Sequence, residues 1–377
     1  MNQRTHFFRL WAIILKEFTQ MKRDRLTFAM IIGIPIIQLI LFGFAINSDP
    51  KKLPTVVVSS DNSALTRQIL VNFQNSDYFK ILPGNKSQTQ ADRLISTGDA
   101  QFAIYIPQNF TRKLVRGEKP ELLVEVDGTD PSATSNAIST LQTSIQYFSQ
   151  SFTGALDYLK TDVPAVNLII QSKYNPERIT QFNIVPGLLG VVLTMTMVVI
   201  TSLAITRERE RGTMESLLAM PVKPVEVMLG KLVPYILVGY IQVILILLAA
   251  HYLFKVPIDG SLTLLLLACL PFIAANLSVG LTFSTLAKNQ LQAMQLSFFF
   301  FLPSLLLSGF MFPFYGMPAW AQALGNALPL THFIRIVRGI MLKGNGFSEI
   351  ASQISAIFLF FFFVLLLGIK RYRQTLD

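Results

Sequence analysis

Charge is scarce in this sequence. Only 14% of its 377 residues are Asp, Glu, Lys or Arg, against about a quarter in soluble globular chains, and that shortage excludes an ordinary soluble fold. Cysteine is nearly absent. With Cys269 alone no intrachain disulfide can form, and inside an apolar run it is expected to be a small buried residue. The three histidines, His6, His251 and His332, lie far apart, with no HExxH string or cysteine cluster, which argues against a metal site. No G-x-x-x-x-G-K-[ST] loop occurs. The nearest strings, LPGNKS and LGKL, lack the spaced glycines that let backbone N–H groups surround phosphates. G-x-S-x-G is missing as well, so neither an enzyme nor a cofactor of its own is expected of this chain.

Long apolar runs fill the space. Hydrophobic residues make up 51% of the chain. Stretches without a charged residue run from Leu26 to Ser48, Ile179 to Thr206, Leu232 to Phe254, Gly260 to Ala287, Asn289 to Ile334 and Ile350 to Ile369. Each can hold the roughly 20 residues that cross a bilayer as helix. A proton relay normally needs Asp, Glu, Lys or Arg within the spans, and these runs have none. The first run is longer than a cleavable signal core and has no clear A-x-A site after it, so it is expected to be retained.

The net charge of +10 could suggest nucleic acid, but its distribution points elsewhere. Asp49 to Arg178 holds 13 basic and 13 acidic residues, so the excess lies at alternate ends of successive spans: the N-terminal arm, the segment after Thr206, Lys288 and the KRYR tail. Lys and Arg collect on the cytoplasmic side of short loops, while long domains translocate largely regardless of charge. Both termini and the Thr206 to Val227 loop are therefore expected in the cytoplasm and Asp49 to Arg178 outside. The basic balance reads as topology and anionic headgroup contact, with membrane lipid rather than nucleic acid as the partner.

The organisation follows. In residues 1–25, Phe7, Trp11, Ile14, Phe18 and Met21 recur at helical spacing, which predicts an amphipathic helix on the lipid interface or packed on protein. Residues 26–47 form the first span. Residues 48–178 read as an extracytoplasmic α/β domain: TVVVSS, DYFKIL, QFAIYIP and ELLVEVDG are strand-like and alternate with helical segments. A long helix is expected from Pro131, its apolar seam running from Ile138 to Leu159 and packing on its own sheet or on a partner copy. Residues 179–370 hold spans two to six, with a cytoplasmic loop at 206–229. Residues 312–345, broken by Pro313, Pro318, Gly325 and Pro329, are expected as short re-entrant helices at the external leaflet. The tail is 371–377. The predicted fold is thus an α-helical polytopic membrane protein with six transmembrane helices and an inserted α/β extracytoplasmic domain.

Three groups of residues invite a function. In TRERERGTMESLLAMPVKPVEV, Met214, Leu217 and Leu218 share a helical face and Pro221 ends the helix; the segment is either a docking element for another protein or an ordinary solvated loop. In the fifth run, Gln292, Met294, Gln295, Phe298 and Phe301, with Met195 on the second, are candidates for a substrate path, or else core and lipid-facing residues. His332, Arg335 and Arg338 stand in an otherwise apolar segment, where the arginines either snorkel to headgroups or fasten the dipping helices.

VPGLLG at 185–190, TRERERGTMESLLAMPV and LPLTHFIRIVRGIMLKG resemble the membrane subunits of ABC-2 type exporters. AIYIPQNF, VDGTDPSA and YNPERITQFNIVPG are similar to the branch carrying a large external domain between spans one and two. The resemblance implies a permease half paired with a second half, as homo- or heterodimer, and with two cytoplasmic ATPase subunits that bind ATP and Mg. It assigns ATPase coupling to Arg207, Glu208, Arg209, Glu210, Gly212, Thr213, Met214, Glu215, Leu217, Leu218 and Pro221. It assigns an external gate to Pro329, His332, Arg335, Arg338 and Gly339. The expected activity is export of an amphipathic, drug-like or lipid-like compound across the plasma membrane, the inner membrane of a bacterium. The alternatives are a mechanical signalling protein acting on envelope partners and a ligand-sensing receptor.

Overall fold

In a computed structural model of the chain, the described residues are 40–41, 49–150, 152, 158, 164–210 and 224–371. The expected interface helix, most of the first span, the centre of the cytoplasmic loop and the last six residues lie outside them.

The polar interval folds as a five-stranded sheet, β1 (Leu53–Ser59), β2 (Phe79–Ile81), β3 (Phe102–Ile106), β4 (Glu121–Asp127) and β5 (Asn167–Lys173), in the order β2-β1-β3-β4-β5. All neighbours are parallel except β3 and β4. The strands are rich in Val, Ile and Phe, which suit a pleated buried surface. Between them lie α1 (Ala64–Asn75), α2 (Gln88–Thr97) and α3 (Phe110–Val115), and α4 (Pro131–Gln150) precedes β5. Ser63 caps α1. Ser87 and Gln90 form a capping box on α2, which ends at Gly98 with φ of +82°, a left-handed turn that glycine adopts without strain.

One face of the sheet is covered by α1, α3 and α4: Ile69, Phe73, Phe110, Ile138, Leu141, Ile145 and Phe148 share a core with Leu53, Phe102 and Val124. The α4 seam therefore packs on its own sheet. The helix is described to Gln150 and Phe152 still enters the core at 4% exposure, while Leu156 and Leu159 of the expected seam lie outside the described residues. On the opposite face, Ala91 and Ile95 of α2 pack on Val56 and Ala103.

The remainder is helical: α5 (Thr180–Glu210), α6 (Pro224–Tyr252), α7 (Leu262–Leu286), α8 (Gln290–Leu307), α9 (Ala319–Asn326), α10 (Pro329–Lys343) and α11 (Phe347–Arg371). Among the described residues five helices, α5 to α8 and α11, contain stretches long and apolar enough to cross a membrane. From sequence the polar loop begins at Thr206 and reaches 229. Instead α5 continues to Glu210 and α6 starts at Pro224, because Arg and Glu are good helix formers whose charges do not break a helix leaving the bilayer. At 15 residues, α10 is only about 22 Å long, short of the roughly 30 Å hydrocarbon core.

The most enclosed span, α7, sits at the centre of the apolar core with α5, α6, α10 and α11 around it. Phe272 of α7 stacks on Phe333 of α10 at 3.8 Å. At Gly280 a Cβ would overlap the Thr201 hydroxyl and lie 2.5 Å from Val198 O of α5, so only glycine permits this crossing. Gly280→Leu should force the two helices apart at a cost of about 1–3 kcal/mol or more, seen as a lower thermal midpoint in detergent. An unchanged midpoint would show that the crossing is not tight.

Candidate functional site: a charged seam between the sheet layer and α10

The α10 helix buries Phe333, Ile336, Val337 and Ile340 against the spans, while its polar residues reach α9, α11 and, at its last residue, the sheet layer. Its last residue, Lys343, reaches Asp127 at the end of β4: Nζ lies 2.6 Å from Oδ2, with side-chain exposures of 6% and 4%. Lys343 also donates to Ile95 O at 2.8 Å and sits 5.3 Å above the Tyr174 ring. A buried ion pair recovers its desolvation cost only when further hydrogen bonds complete it. Here Asp127 Oδ1 accepts from the Thr129 backbone and hydroxyl at 3.1 and 2.7 Å.

Gly344 then takes φ of +67° and returns the chain, so that Asn345 N donates to Gly339 O at 3.0 Å and Asn345 Nδ2 to Ser96 O at 2.9 Å. A Cβ on Gly339 would lie 2.8 Å from that amide nitrogen, which gives Gly339 its reason to lack a side chain. From the loop before α9, the Tyr315 hydroxyl donates to Gly98 O at 2.8 Å.

Beside these links lies a cavity of about 130 Å³, whose lining includes Asp99, Asp127, Asp130, Arg335, Arg338 and Lys343. Arg335 stacks on Phe314 at 4.6 Å and donates to Asn326 Oδ1 at 3.3 Å. Arg338 makes one long bond, Nη1 to Gly309 O at 3.4 Å; its Nε and Nη2 are buried without a partner among the described residues. Asn183 of α5 donates to Asp130 Oδ1 at 3.1 Å. The arginines are thus turned into protein, and headgroup snorkelling does not describe Arg338. Pro329 is the first residue of α10, and His332 places Nδ1 2.6 Å from Gln353 Oε1 of α11 and Nε2 2.8 Å from Asn326 O.

A second polar cluster backs the seam. Lys173 meets Asp92 at 2.5 Å and Glu125 at 2.8 Å. Burial alone would lower its pKa, but the two carboxylates outweigh burial and raise it. Burial, with Asp127 adding to it, pushes the Tyr174 hydroxyl up to about 12, so it remains a neutral donor.

The other expected sites are only partly assembled. Arg207 and Glu210 are exposed on the last turn of α5, where Glu210 Oε1 accepts from the backbone N–H of Gln290 at 2.8 Å and Oε2 from its side-chain amide. The side chains of Glu208 and Arg209, and all of Gly212, Thr213, Met214, Glu215, Leu217, Leu218 and Pro221, lie outside the described residues. Of the candidate path, Met195 and Met294 are exposed, at 40% and 39%. Gln292 is buried and accepts from Lys288 N, and Phe301 is buried. Gln295 and Phe298 are half-buried.

Sequence reasoning missed Lys343, Asp127, Tyr315 and Asn345. The usable signals were a lone lysine closing an amphipathic segment and an acid in VDGTDPSA.

Apolar helices of spanning length around the buried α7, with a short helix that cannot cross, make this a multi-pass membrane protein of permease type. The chain belongs to the ABC-2 family of transporter proteins, whose family model matches residues 25–370. It is similar to the probable multidrug ABC transporter permease YbhS of Escherichia coli (strain K12), 29% identical over 363 residues that cover 96% of this chain and 95% of that one. It is also similar to the probable multidrug ABC transporter permease YbhR of the same organism, at 30% identity over 89% of this chain and 90% of that one. ABC transporter G family member 20 of Dictyostelium discoideum is 27% identical over 89% of this chain, which spans 46% of that protein. No solved structure matches.

Proposed function

We propose that this chain is one permease half of an ATP-driven exporter for an amphipathic, drug-like or lipid-like compound, seated in a bacterial inner membrane. Six spans, the first at residues 26–47, put both termini in the cytoplasm and the sheet layer outside. A second half and two ATPase subunits complete the transporter, the latter holding ATP and Mg and docking on the 206–229 segment. The names borne by YbhS and YbhR support the drug-like substrate class.

The observation that carries the mechanism is α10: too short to cross, packed on the spans by one face and clamped to the sheet layer by Lys343 and Asn345. In this reading α10 is the external gate, and Pro329, His332, Arg335, Arg338 and Gly339 hold it between the sheet layer and α11. The clamp also favours a second reading, mechanical transmission to envelope partners without transport.

Reconstitution with the partner ATPase decides between the two readings. ATP-dependent movement of a fluorescent amphipathic compound supports the exporter, whereas tight ATPase coupling with no movement of any compound supports transmission. Leu217→Asp places a charge in the proposed apolar docking contact, at a cost of several kcal/mol, about 3 or more if it stays buried. The variant should insert normally but lose the ATPase on affinity purification; full retention would reject this docking site. For topology, cysteines at Ser63 and Thr375 in a Cys269→Ala background should label from outside and inside respectively, and labelling from one side would remove the six-span arrangement.

A further inference from the structure

The turn from α10 to α11 leaves an open groove of about 850 Å³ beside α2 and the end of β5, with Asp92, Arg93, Tyr174 and Glu349 in its lining. It lies where the sheet layer meets a span. The apolar stretch of α11 runs from Phe347 to Gly368, so Glu349, in its first turn, is a carboxylate at the mouth of a membrane helix. Ionisable groups in such places are costly and call for a partner.

Glu349 Oε2 accepts from Gly346 N at 2.9 Å and Oε1 from the Ser348 hydroxyl at 2.6 Å, so each oxygen keeps a lone pair to offer. Arg93, exposed on α2, is within electrostatic reach of that carboxylate. Yet no ion pair joins them among the described residues. Asp92 already meets Lys173, and the Tyr174 hydroxyl lines the groove with no hydrogen bond among the described residues. The groove thus offers a guanidinium and a phenol as donors and, apart from them, a carboxylate as acceptor.

We infer that this groove holds the headgroup of an external-leaflet phospholipid that carries both a phosphate and a primary ammonium. Arg93 and Tyr174 donate to the phosphate, and Glu349 accepts from the ammonium. A guanidinium suits phosphate because its parallel N–H groups match two oxygens at once. A purely anionic headgroup would satisfy Arg93 but set its charge against Glu349 and Asp92, and a soluble cation would leave Arg93 unmet. A quaternary ammonium has no N–H for Glu349. The acyl chains also have a place: Phe347 is 65% exposed next to the groove, and farther along α11 Phe358, Leu359, Phe362 and Phe363 are exposed. One lipid then touches the sheet layer through Arg93 and the span through Glu349. The inference rests on the reading above that puts the sheet layer outside and α11 across the membrane.

The test titrates the full chain in detergent with phosphatidylethanolamine, phosphatidylglycerol and phosphatidylcholine of the same acyl chains, and native mass spectrometry reads the lipid retained. Phosphatidylethanolamine should be held about tenfold more than either of the others, the effect of one hydrogen bond to a charged group. Arg93→Gln should cut its retention about tenfold. Glu349→Gln keeps an acceptor for Gly346 N and should erase the preference, so that phosphatidylglycerol is held as well as phosphatidylethanolamine. A merely structural role would not exchange one lipid for another. Equal retention of all three lipids by the wild type overturns the proposal, as does a preference that survives Glu349→Gln. Displacement of the lipid by equimolar free phosphoethanolamine assigns the groove to a soluble metabolite and also overturns it. Ser63→Cys in a Cys269→Ala background, labelled in parallel, separates two failures. Labelling from the cytoplasmic side rejects the topology, whereas labelling from outside with no lipid preference rejects the headgroup site alone.

Discussion

Lys343→Met should loosen the sheet layer from α10. The substitution leaves Asp127, 4% exposed, as a buried carboxylate whose cation is gone, and breaking such a pair by removing one partner costs about 3–5 kcal/mol. The expected signs are a lower thermal midpoint and faster proteolysis in the sheet layer, with membrane insertion unchanged. The double variant Lys343→Met, Asp127→Leu removes both charges at once. It should recover most of the loss, because replacing a whole buried pair by apolar groups is often neutral or stabilising. If the double variant is as unstable as the single one, Asp127 is not the group that Lys343 neutralises.

Arg338→Gln should have the opposite effect on stability and a damaging one on export. In the wild type, Nε and Nη2 are buried without acceptors among the described residues, and each buried donor left unmet costs about 1–3 kcal/mol. Removing the guanidinium relieves that cost, so the thermal midpoint should hold or rise. If the unpaired charge between α10 and the sheet layer is what lets the gate shift between settings, export should fall about tenfold or more relative to ATP hydrolysis, the size of an ordinary coupling energy. A gain in stability with wild-type export would make Arg338 a structural residue only.

Much of the fold was legible because it follows local pattern. The β-branched runs mark β1, β3 and β4, and the period of Ile138, Leu141, Ile145 and Phe148 marks α4 and the face it buries. Strand β5 escaped notice: NLIIQSK is only partly buried and sits just before a span whose signal dominates its neighbourhood. The ends of α5 and α6 were misjudged because charge was read as a loop signal when the charged residues were themselves good helix formers. The seam was illegible for a different reason. Lys343 and Asp127 are 216 residues apart, and the antiparallel placement of β4 beside β3 brings that carboxylate to the end of the sheet that α10 meets. No local pattern records such a meeting.

The continuity of α5 has a mechanical consequence. At 31 residues it is a rod of about 45 Å. Its outer end is tied through Asn183 to Asp130, and its inner end through Glu210 to the first turn of α8. Pro186 removes one backbone bond near the outer end and leaves more than twenty residues of unbroken helix below it. Such a rod turns small angles into long strokes: pivoting about 5° near Pro186 sweeps the inner end through about 3 Å, given a rise of 1.5 Å per residue. That is comparable to the length of the hydrogen bonds holding the Glu210 end, so a small rotation about Pro186 can exchange one set of contacts for another there, while Asn183, close to the pivot, stays nearly in place without bending of the helix between them.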